Sequence, residues 1–485
     1  MTGAPAEPLR ATVTIDPENH RGEIDRRLFG SFVEHLGRCV YTGIFEPDHP
    51  TADEHGFRTD VADLVRELGV TLVRYPGGNF VSGYRWEDGI GPVEDRPRRL
   101  DLAWRTIEPN TVGTDEFLGW ARRMGLIPML AVNLGTRGIQ EAADLVEYCN
   151  IRDGTAWSDR RRANGHPEPH AVGLWCLGNE MDGPWQTGHK SAAEYGALAA
   201  NTAQAMRQVD PAIELVVCGS SGRTMPTFGA WESTVLEHTY DVVDYISLHA
   251  YYEEHDGDRR SFLASGAAMD GFITDVIATA DAVRARLNRR RHIRLSFDEW
   301  NVWYMQRFPG AERLDVAEAP RLLEDVYSDI DAVVVGDLLI TLINHCDRVA
   351  IGCLAQLVNV IAPIMTHPGG TAWRQTTFHP IAETIRLAAG VGLVATARAP
   401  ELATARHGDV PAVSAAATHD PSSGAVVLFL VNRGEQPAEV TVRHHGFPGL
   451  SMVDGPVAAE GRTVLRLAPE SWTATRWTCS AAPRP

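Results

Sequence analysis

Two glutamates carry most of the chemistry that this sequence offers. Glu180 closes Trp175-Cys-Leu-Gly-Asn-Glu180, and Glu299 closes Leu295-Ser-Phe-Asp-Glu299 just before Trp300. Each stands at the end of an apolar run, where a strand delivers a side chain to its rim. Two carboxylates facing one pocket are the minimum equipment for cleaving a glycosidic bond: one gives and recovers a proton, the other attacks or activates water. The pattern predicts a glycosidase.

The neighbours of the two glutamates support that reading. Trp175 and Trp185 flank Glu180, and an apolar wall raises a carboxyl pKa, which suits a general acid. Asn179 beside it offers an amide to a sugar hydroxyl. Glu299 is followed by Trp300, Asn301, Val302 and Trp303, aromatic surface on which a sugar can stack. Asp298 is the alternative nucleophile. Successive strand residues point to opposite faces, so only one of the pair faces the mouth, and Glu299 is preferred. Other apolar runs also end in polar groups: Glu34-His35, Arg74, Asn79, Asn133, His249 with Tyr251, and Gln356 with Asn359. On one rim they make a site that satisfies several hydroxyls at once. Arg74-Tyr-Pro-Gly-Gly-Asn79 reads as a sharp turn that brings backbone close to a ligand. His249, His345 and Glu299 could ligate zinc in principle. The sequence carries no H-E-x-x-H, Walker A loop or dinucleotide fingerprint, so neither metal nor cofactor is expected.

Positioning such residues requires a barrel. Strand-like runs occur at Leu28–Glu34, Thr71–Tyr75, Ile127–Asn133, Val172–Glu180, Ile213–Cys218, Tyr245–Tyr251, Ile293–Glu299 and Val349–Leu357. Helix-like gaps separate them. Val61, Leu64, Val65 and Leu68 follow a helical rhythm after Asp60, read as an N-cap, and Gly69 supplies a stop. Phe117, Trp120, Ala121 and Met124 repeat the rhythm between Thr114 and Gly125, and Ser191–Val209 and Asp270–Leu287 are longer helices. The alternation predicts a (β/α)8 TIM barrel over 27–388. Beyond it, Ala425–Val431 and Ala438–Arg443 read as two strands around the turn Asn432-Arg-Gly434, with further strands at Thr463–Leu467 and Ser471–Trp477. A C-terminal antiparallel β-sandwich over 389–485 follows, joined by the alternating strand Ala11–Ile15 from residues 1–26. The loops Asp159–His170 and Tyr304–Ala317 read as insertions at barrel ends.

Bulk properties narrow the partners. The chain has 485 residues, room for two or three domains, and 63 acidic against 45 basic residues give a net charge of −18. That argues against nucleic acid or anionic membranes and favours a neutral ligand. Met1–Arg10 shows no secretory pattern, and no apolar run reaches the roughly 18 residues of a membrane helix. Seven scattered cysteines without a C-x-x-C pair fit a reducing cytoplasm. Cys39, beside a pocket segment, reads as a packed small side chain rather than a reactive thiol.

Six motifs in order now carry a resemblance: Phe29-Gly-Ser-Phe-Val-Glu-His-Leu-Gly-Arg38, Val73-Arg-Tyr-Pro-Gly-Gly-Asn-Phe80, Trp175-Cys-Leu-Gly-Asn-Glu-Met-Asp-Gly-Pro-Trp185, Ser247-Leu-His-Ala-Tyr251, Phe297-Asp-Glu-Trp-Asn301 and Gln356-Leu-Val-Asn359. The chain resembles the intracellular α-L-arabinofuranosidases of glycoside hydrolase family 51. Their clan carries the acid/base after barrel strand four and the nucleophile after strand seven, and Glu180 and Glu299 end the fourth and seventh runs. The resemblance implies a retaining exo-enzyme without cofactor, with Glu180 as acid/base and Glu299 as nucleophile. It implies that Glu34, Arg74, Asn79, Asn179, Tyr251 and Gln356 receive the arabinofuranose, with His249 a second-rank member. Asn179 would address the 2-hydroxyl, Tyr251 would bond the nucleophile, and Arg74 would help keep it ionised. The two insertion loops would set aglycone preference. Relatives commonly form hexamers, so a homo-oligomer is expected. A retaining pair stands about 5–5.5 Å apart and an inverting pair roughly 6.5–9.5 Å. The residues alone also suit a β-xylosidase or an endoglucanase on the same barrel, a zinc-dependent barrel hydrolase, or a non-catalytic carbohydrate-binding protein.

Overall fold

Eight short runs of aliphatic and aromatic residues pair in parallel and close on themselves. They are Gly30–Phe32, Leu72–Tyr75, Ile127–Val132, Leu174–Leu177, Glu214–Val217, Tyr245–Tyr252, Arg294–Val302 and Val349–Ala355, each beside its chain neighbour. This (β/α)8 barrel belongs to a computed structural model that describes residues 7–447, 449–453 and 461–479. Of the N-terminal stretch read for an export signal, residues 1–6 lie outside the described ones. So do residues 448, 454–460 and 480–485 of the expected sandwich. No described helix is long and apolar enough to cross a membrane.

All eight strands fall within the runs read from the sequence or within three residues of them. The helices read from the sequence bury one face each and end within one residue of the expected stop. Thr59–Leu68 and Thr114–Met124 stop at Gly69 and Gly125, with φ of 82° and 69°, a left-handed turn that glycine takes without steric cost. Ser191 caps Ala192–Val209 by accepting from the Glu194 amide. Two expectations need correction. Asp60 does not cap its helix: it lies in the first turn, where it takes a 2.7 Å hydrogen bond from Arg58. The helix expected over Asp270–Leu287 starts earlier, at Ser265, because Ser265 to Met269 continue its buried face.

The C-terminal region forms two packed sheets. Among the described residues, one has six strands: His20–Glu23, Val391–Leu393, Val413–Asp420, Ala425–Asn432, Ser471–Thr478 and Ser451–Met452. The other has four: Thr396–Arg398, Leu9–Ile15, Ala438–His444 and Arg462–Leu467. Their inner faces share a core that includes Val13, Ile15, Leu428, Leu430, Val440, Val442 and Trp477. The N-terminal strand does join this sandwich, pairing in parallel with Ala438–His444 and antiparallel with Thr396–Arg398. The turn at Asn432-Arg-Gly434 is not a hairpin, since Ala425–Asn432 and Ala438–His444 lie in opposite sheets. The corner is built by its side chains: the Asn432 amide donates to the Gln436 and Ala468 carbonyls, and Arg433 reaches into the barrel. There its guanidinium forks onto Asp337, which is fully buried in the helix Asp329–Asn344, at 2.8 and 2.9 Å.

The Asp159–His170 stretch is not an insertion over the mouth. Ala156–Ala163 is a helix lying between the third barrel helix and strand four. Trp157 packs on Trp86 and His170 bonds Asp115 at 2.8 Å, which fixes the stretch to the barrel's outer flank.

Candidate active site

Strand four ends at Leu177, and the backbone then inverts. Gly178 has φ of 88°, and Glu180 takes φ of 43°, a left-handed conformation unusual for a glutamate. This twist at the C-terminal rim turns the Glu180 carboxyl into the cavity. There Oε2 accepts a 2.8 Å hydrogen bond from the Trp185 indole, and Oε1 lies 2.9 Å from Nδ1 of His249. Trp175, expected as part of the apolar wall, is instead fully buried in the barrel core and donates to the Val172 carbonyl. Strand alternation sends it away from the mouth.

On strand seven, alternation separates Asp298 from Glu299. Glu299 lines the cavity, whereas Asp298 points beneath it, 3.2 Å from Nε2 of His249 and 3.7 Å from Nε of Arg74. The register between strands six and seven slips close by, with His249 opposite Glu299. Two donors hold the Glu299 carboxylate: Tyr251 gives its hydroxyl proton to Oε1 at 2.6 Å, and Arg74 reaches Oε2 at 2.9 Å. The other arm of Arg74 donates to Oδ1 of Asn179 at 2.6 Å, and Asn179 faces Asn79 at 3.4 Å. Gly77 and Gly78 make this approach possible: a Cβ on Gly78 would stand 3.2 Å from Oε2 of Glu299.

Glu34 leaves strand one for the same cavity. Its Oε1 accepts from the Phe80 amide at 2.9 Å and the Trp104 indole at 3.0 Å, and its Oε2 from Gln356 at 3.2 Å. Burial, with the nearby charge of Glu299, pushes the Glu34 carboxyl up to about 8. For His249, burial opposes protonation. The charge of Glu299 and the bonds to Asp298 and Glu180 outweigh it, pushing the ring up to about 10. His249 is therefore an imidazolium at neutral pH, donating to Glu180 from Nδ1 and to Asp298 from Nε2. Asp298 is itself held low by Arg74 and His249 against the cost of burial.

The cavity has a volume of about 910 Å3. Glu34, Asn79, Glu180, Tyr251, Glu299 and Gln356 line it, while Arg74, Asn179 and His249 form the layer beneath. Three other rim residues serve structure. His35 bonds Glu108 and Tyr75, Asn133 bonds the Tyr84 carbonyl, and Asn359 bonds the Arg38 carbonyl. His345 lies elsewhere, paired with Asp270. Cys39 is fully buried, and burial pushes its thiol up to about 12, which fits a packed side chain. The Tyr304–Ala317 loop lines the cavity through Met305, Phe308, Ala311 and Glu312, whereas Asp159–His170 contributes nothing to it. Sequence reading missed Trp104, whose only signal is a lone tryptophan inside a charged loop. It also missed Arg406 and His407, which come from a hairpin of Glu401–Thr404 with Gly408–Pro411 and have no signal at all.

Glu180, His249 and Glu299 each offer one donor atom, all within 4.8 Å of one another. A cation there would sit beside the Arg74 guanidinium and compete with Trp185 and Tyr251 for the same oxygens. The trio is thus suited to carbohydrate chemistry better than to metal binding. A second trio, Asp115, His166 and His170, lies on the outer flank, where Asp115 already accepts from Tyr148.

The comparisons with known proteins agree with this geometry. The family model described as Alpha-L-arabinofuranosidase 1 domain matches residues 64–263, and that described as Alpha-L-arabinofuranosidase C-terminal domain matches 298–464. An intracellular exo-alpha-(1->5)-L-arabinofuranosidase of Streptomyces lividans is 55% identical over 96% of this chain and 75% of its own length. The chain belongs to the α-L-arabinofuranosidases of glycoside hydrolase family 51. A Bacillus subtilis member, also named an intracellular exo-alpha-(1->5)-L-arabinofuranosidase, is 52% identical over 92% of this chain and 89% of its own. Among solved structures, a family 51 member from Bifidobacterium longum superposes with a TM-score of 0.90 at 45% identity, covering 98% of this chain and 100% of that one. An alpha-L-arabinofuranosidase from Thermotoga maritima, in an arabinose complex, gives 0.83 at 30% identity over 97% and 100%. For a family 51 arabinofuranosidase the site has the needed parts: two carboxylates across a cavity, a ring of hydroxyl-binding groups and aromatic walls.

Proposed function

We propose that the chain removes terminal, non-reducing α-L-arabinofuranosyl residues from arabinose-containing oligosaccharides, by double displacement with net retention. The observation that carries this reading is the spacing of the two glutamates, whose facing oxygens lie within 4.8 Å. So close an approach is compatible with the about 5–5.5 Å that separates the carboxyls of a retaining pair. Glu299, gripped by Tyr251 and Arg74, attacks the anomeric carbon. Glu180, when protonated, gives its proton to the departing oxygen and then takes one from the water that releases the sugar. His249 helps hold the Glu180 carboxyl in place, with Nδ1 at 2.9 Å from Oε1. Glu34, Asn79 and Gln356 bind the sugar hydroxyls. Asn179, one layer down, orients Asn79 and Arg74.

Relatives named as exo-alpha-(1->5)-L-arabinofuranosidases support α-1,5-linked chains as substrate. Their description as intracellular supports a cytoplasmic site of action on short oligosaccharides. A homo-oligomer, hexameric by family resemblance, belongs to the same proposal and is read by light scattering.

The test is a release assay on p-nitrophenyl α-L-arabinofuranoside beside the xyloside and glucoside. Turnover is expected on the arabinofuranoside alone, and equal turnover of the xyloside would replace this reading with a β-xylosidase. Glu299→Ala should lose nearly all activity. Glu180→Ala should lose roughly 10²- to 10⁴-fold on oligosaccharides but far less on activated aryl glycosides, which need little protonation. Equal losses on both substrate kinds would overturn the division of roles.

A further inference from the structure

The cavity is larger than its chemistry requires. About 910 Å3 lies at the upper end of the roughly 300–1,000 Å3 that encloses drug-sized ligands, whereas the bond to be cut joins a single pentose at one end. That end is closed by Glu34, Asn79 and Gln356. The same cavity is also lined from outside the barrel helices, by Arg406 and His407 at the tip of the hairpin Glu401–Thr404 and Gly408–Pro411. An exo-acting enzyme holds the sugar it removes in the closed end, so the remainder of the substrate must lie elsewhere in the cavity.

The hairpin tip is built to be rigid. The Arg406 amide donates to Oγ of Ser261 at 3.2 Å, the His407 amide to Oγ1 of Thr404 at 3.0 Å, and Gly408 turns the chain with φ of 69°. The helix that receives the tip, Arg259–Leu263, is tied to the sandwich through Arg260 to Glu435 at 2.9 Å and Arg259 to Glu470 at 3.6 Å. With its backbone fixed, the exposed guanidinium of Arg406 forms no hydrogen bond or ion pair among the described residues, although it borders the cavity. A planar fork of donors on a fixed backbone suits adjacent sugar hydroxyls, because little freedom remains to be lost on binding. His407 beside it is half-buried and lines the same cavity. Arg223, another lining residue, is occupied by Asp275 at 2.7 Å.

We propose that Arg406 and His407 form a distal subsite, on the leaving-group side, that binds the second or later sugars of a neutral arabino-oligosaccharide chain. The proposal rests on the arabinofuranosidase reading above and adds to it a role for the C-terminal region. Occupancy of this subsite raises kcat/KM as the substrate lengthens, and the aryl arabinofuranoside is too short to reach it.

The experiment compares wild type, Arg406→Ala, His407→Ala and the double variant. Each is assayed on p-nitrophenyl α-L-arabinofuranoside and on α-1,5-linked arabino-oligosaccharides of two to five sugars. In wild type, kcat/KM should rise with chain length. In the double variant that rise should flatten, with a loss of roughly tenfold on the longest substrates, carried by KM, and the aryl rate kept within twofold. Thermal melting of each variant checks that the substitutions leave the fold intact. The subsite is overturned if wild type shows no length dependence, if the double variant keeps it in full, or if aryl and oligosaccharide rates fall together. Failure of wild type to cleave any arabinofuranoside would instead remove the proposed function beneath it.

Discussion

Tyr251 and Arg74 place two donors on one carboxylate, and the hydroxyl is the better separable of them. Tyr251→Phe removes a 2.6 Å hydrogen bond to Glu299 and nothing else of comparable size. A bond to a charged group contributes about 1.5–3 kcal/mol, so kcat should fall roughly 10- to 100-fold with little change in KM; steady-state kinetics on the aryl substrate decides. His249 gives a second test through stability. Its folded-state pKa of about 10 exceeds the ordinary 6.5. Below about pH 6.5 the folded and unfolded chains both carry the proton and the stabilisation is complete; as pH rises toward 10 it is lost. Glu34, raised from 4.5 to about 8, acts with the same sign over a lower window, since the folded chain keeps a proton that the unfolded chain releases. Urea unfolding of wild type should therefore show stability declining from about pH 5 to pH 10. His249→Gln should flatten the upper half of that decline, and an unchanged slope would show that the ring is not the group responsible.

At the scale of elements, the turn after strand two is the tightest constraint on the site. A Cβ on Gly77 would lie 2.7 Å from Cγ of Glu34 and 2.9 Å from Cβ of Phe80. Gly77→Ala should cost about 1–3 kcal/mol by overpacking and displace Glu34, raising KM more than it lowers the melting temperature. That turn was legible in the sequence, as were the eight strands and both glutamates, because strand ends and double glycines are local signals. Alternation implied that only one of Asp298 and Glu299 could face the cavity, and not which one. What escaped depends on contacts between distant segments. Trp104 reaches Glu34 from a long loop, and Trp175 faces inward where its neighbours suggested a wall. The turn at Asn432 looks like a hairpin until Arg433 is seen to anchor in a helix nearly a hundred residues earlier. Asp159–His170 has the composition of a mouth loop and lies on the flank, since composition does not say which end of a barrel a segment joins.

At the scale of the molecule, barrel and sandwich are joined through the helix Asp329–Asn344. Gly336 admits Trp472 so closely that a Cβ would meet the indole at 2.1 Å, and at the next residue Asp337 forms a buried ion pair with Arg433 at 2.8 Å. Removing one partner strands a charge. Asp337→Ala should cost about 3–5 kcal/mol in thermal or denaturant unfolding, whereas replacing both partners with apolar residues of similar volume should recover most of it. The strand Leu9–Ile15 has a consequence of a different kind. Its parallel partner, Ala438–His444, leaves the ribosome more than four hundred residues later. At about 5–20 residues per second that is a wait of roughly 20–90 s, during which Val13 and Ile15 have no sheet to enter. The barrel can close around its own strands while translation proceeds. The first strand to be made is thus among the last to find its place.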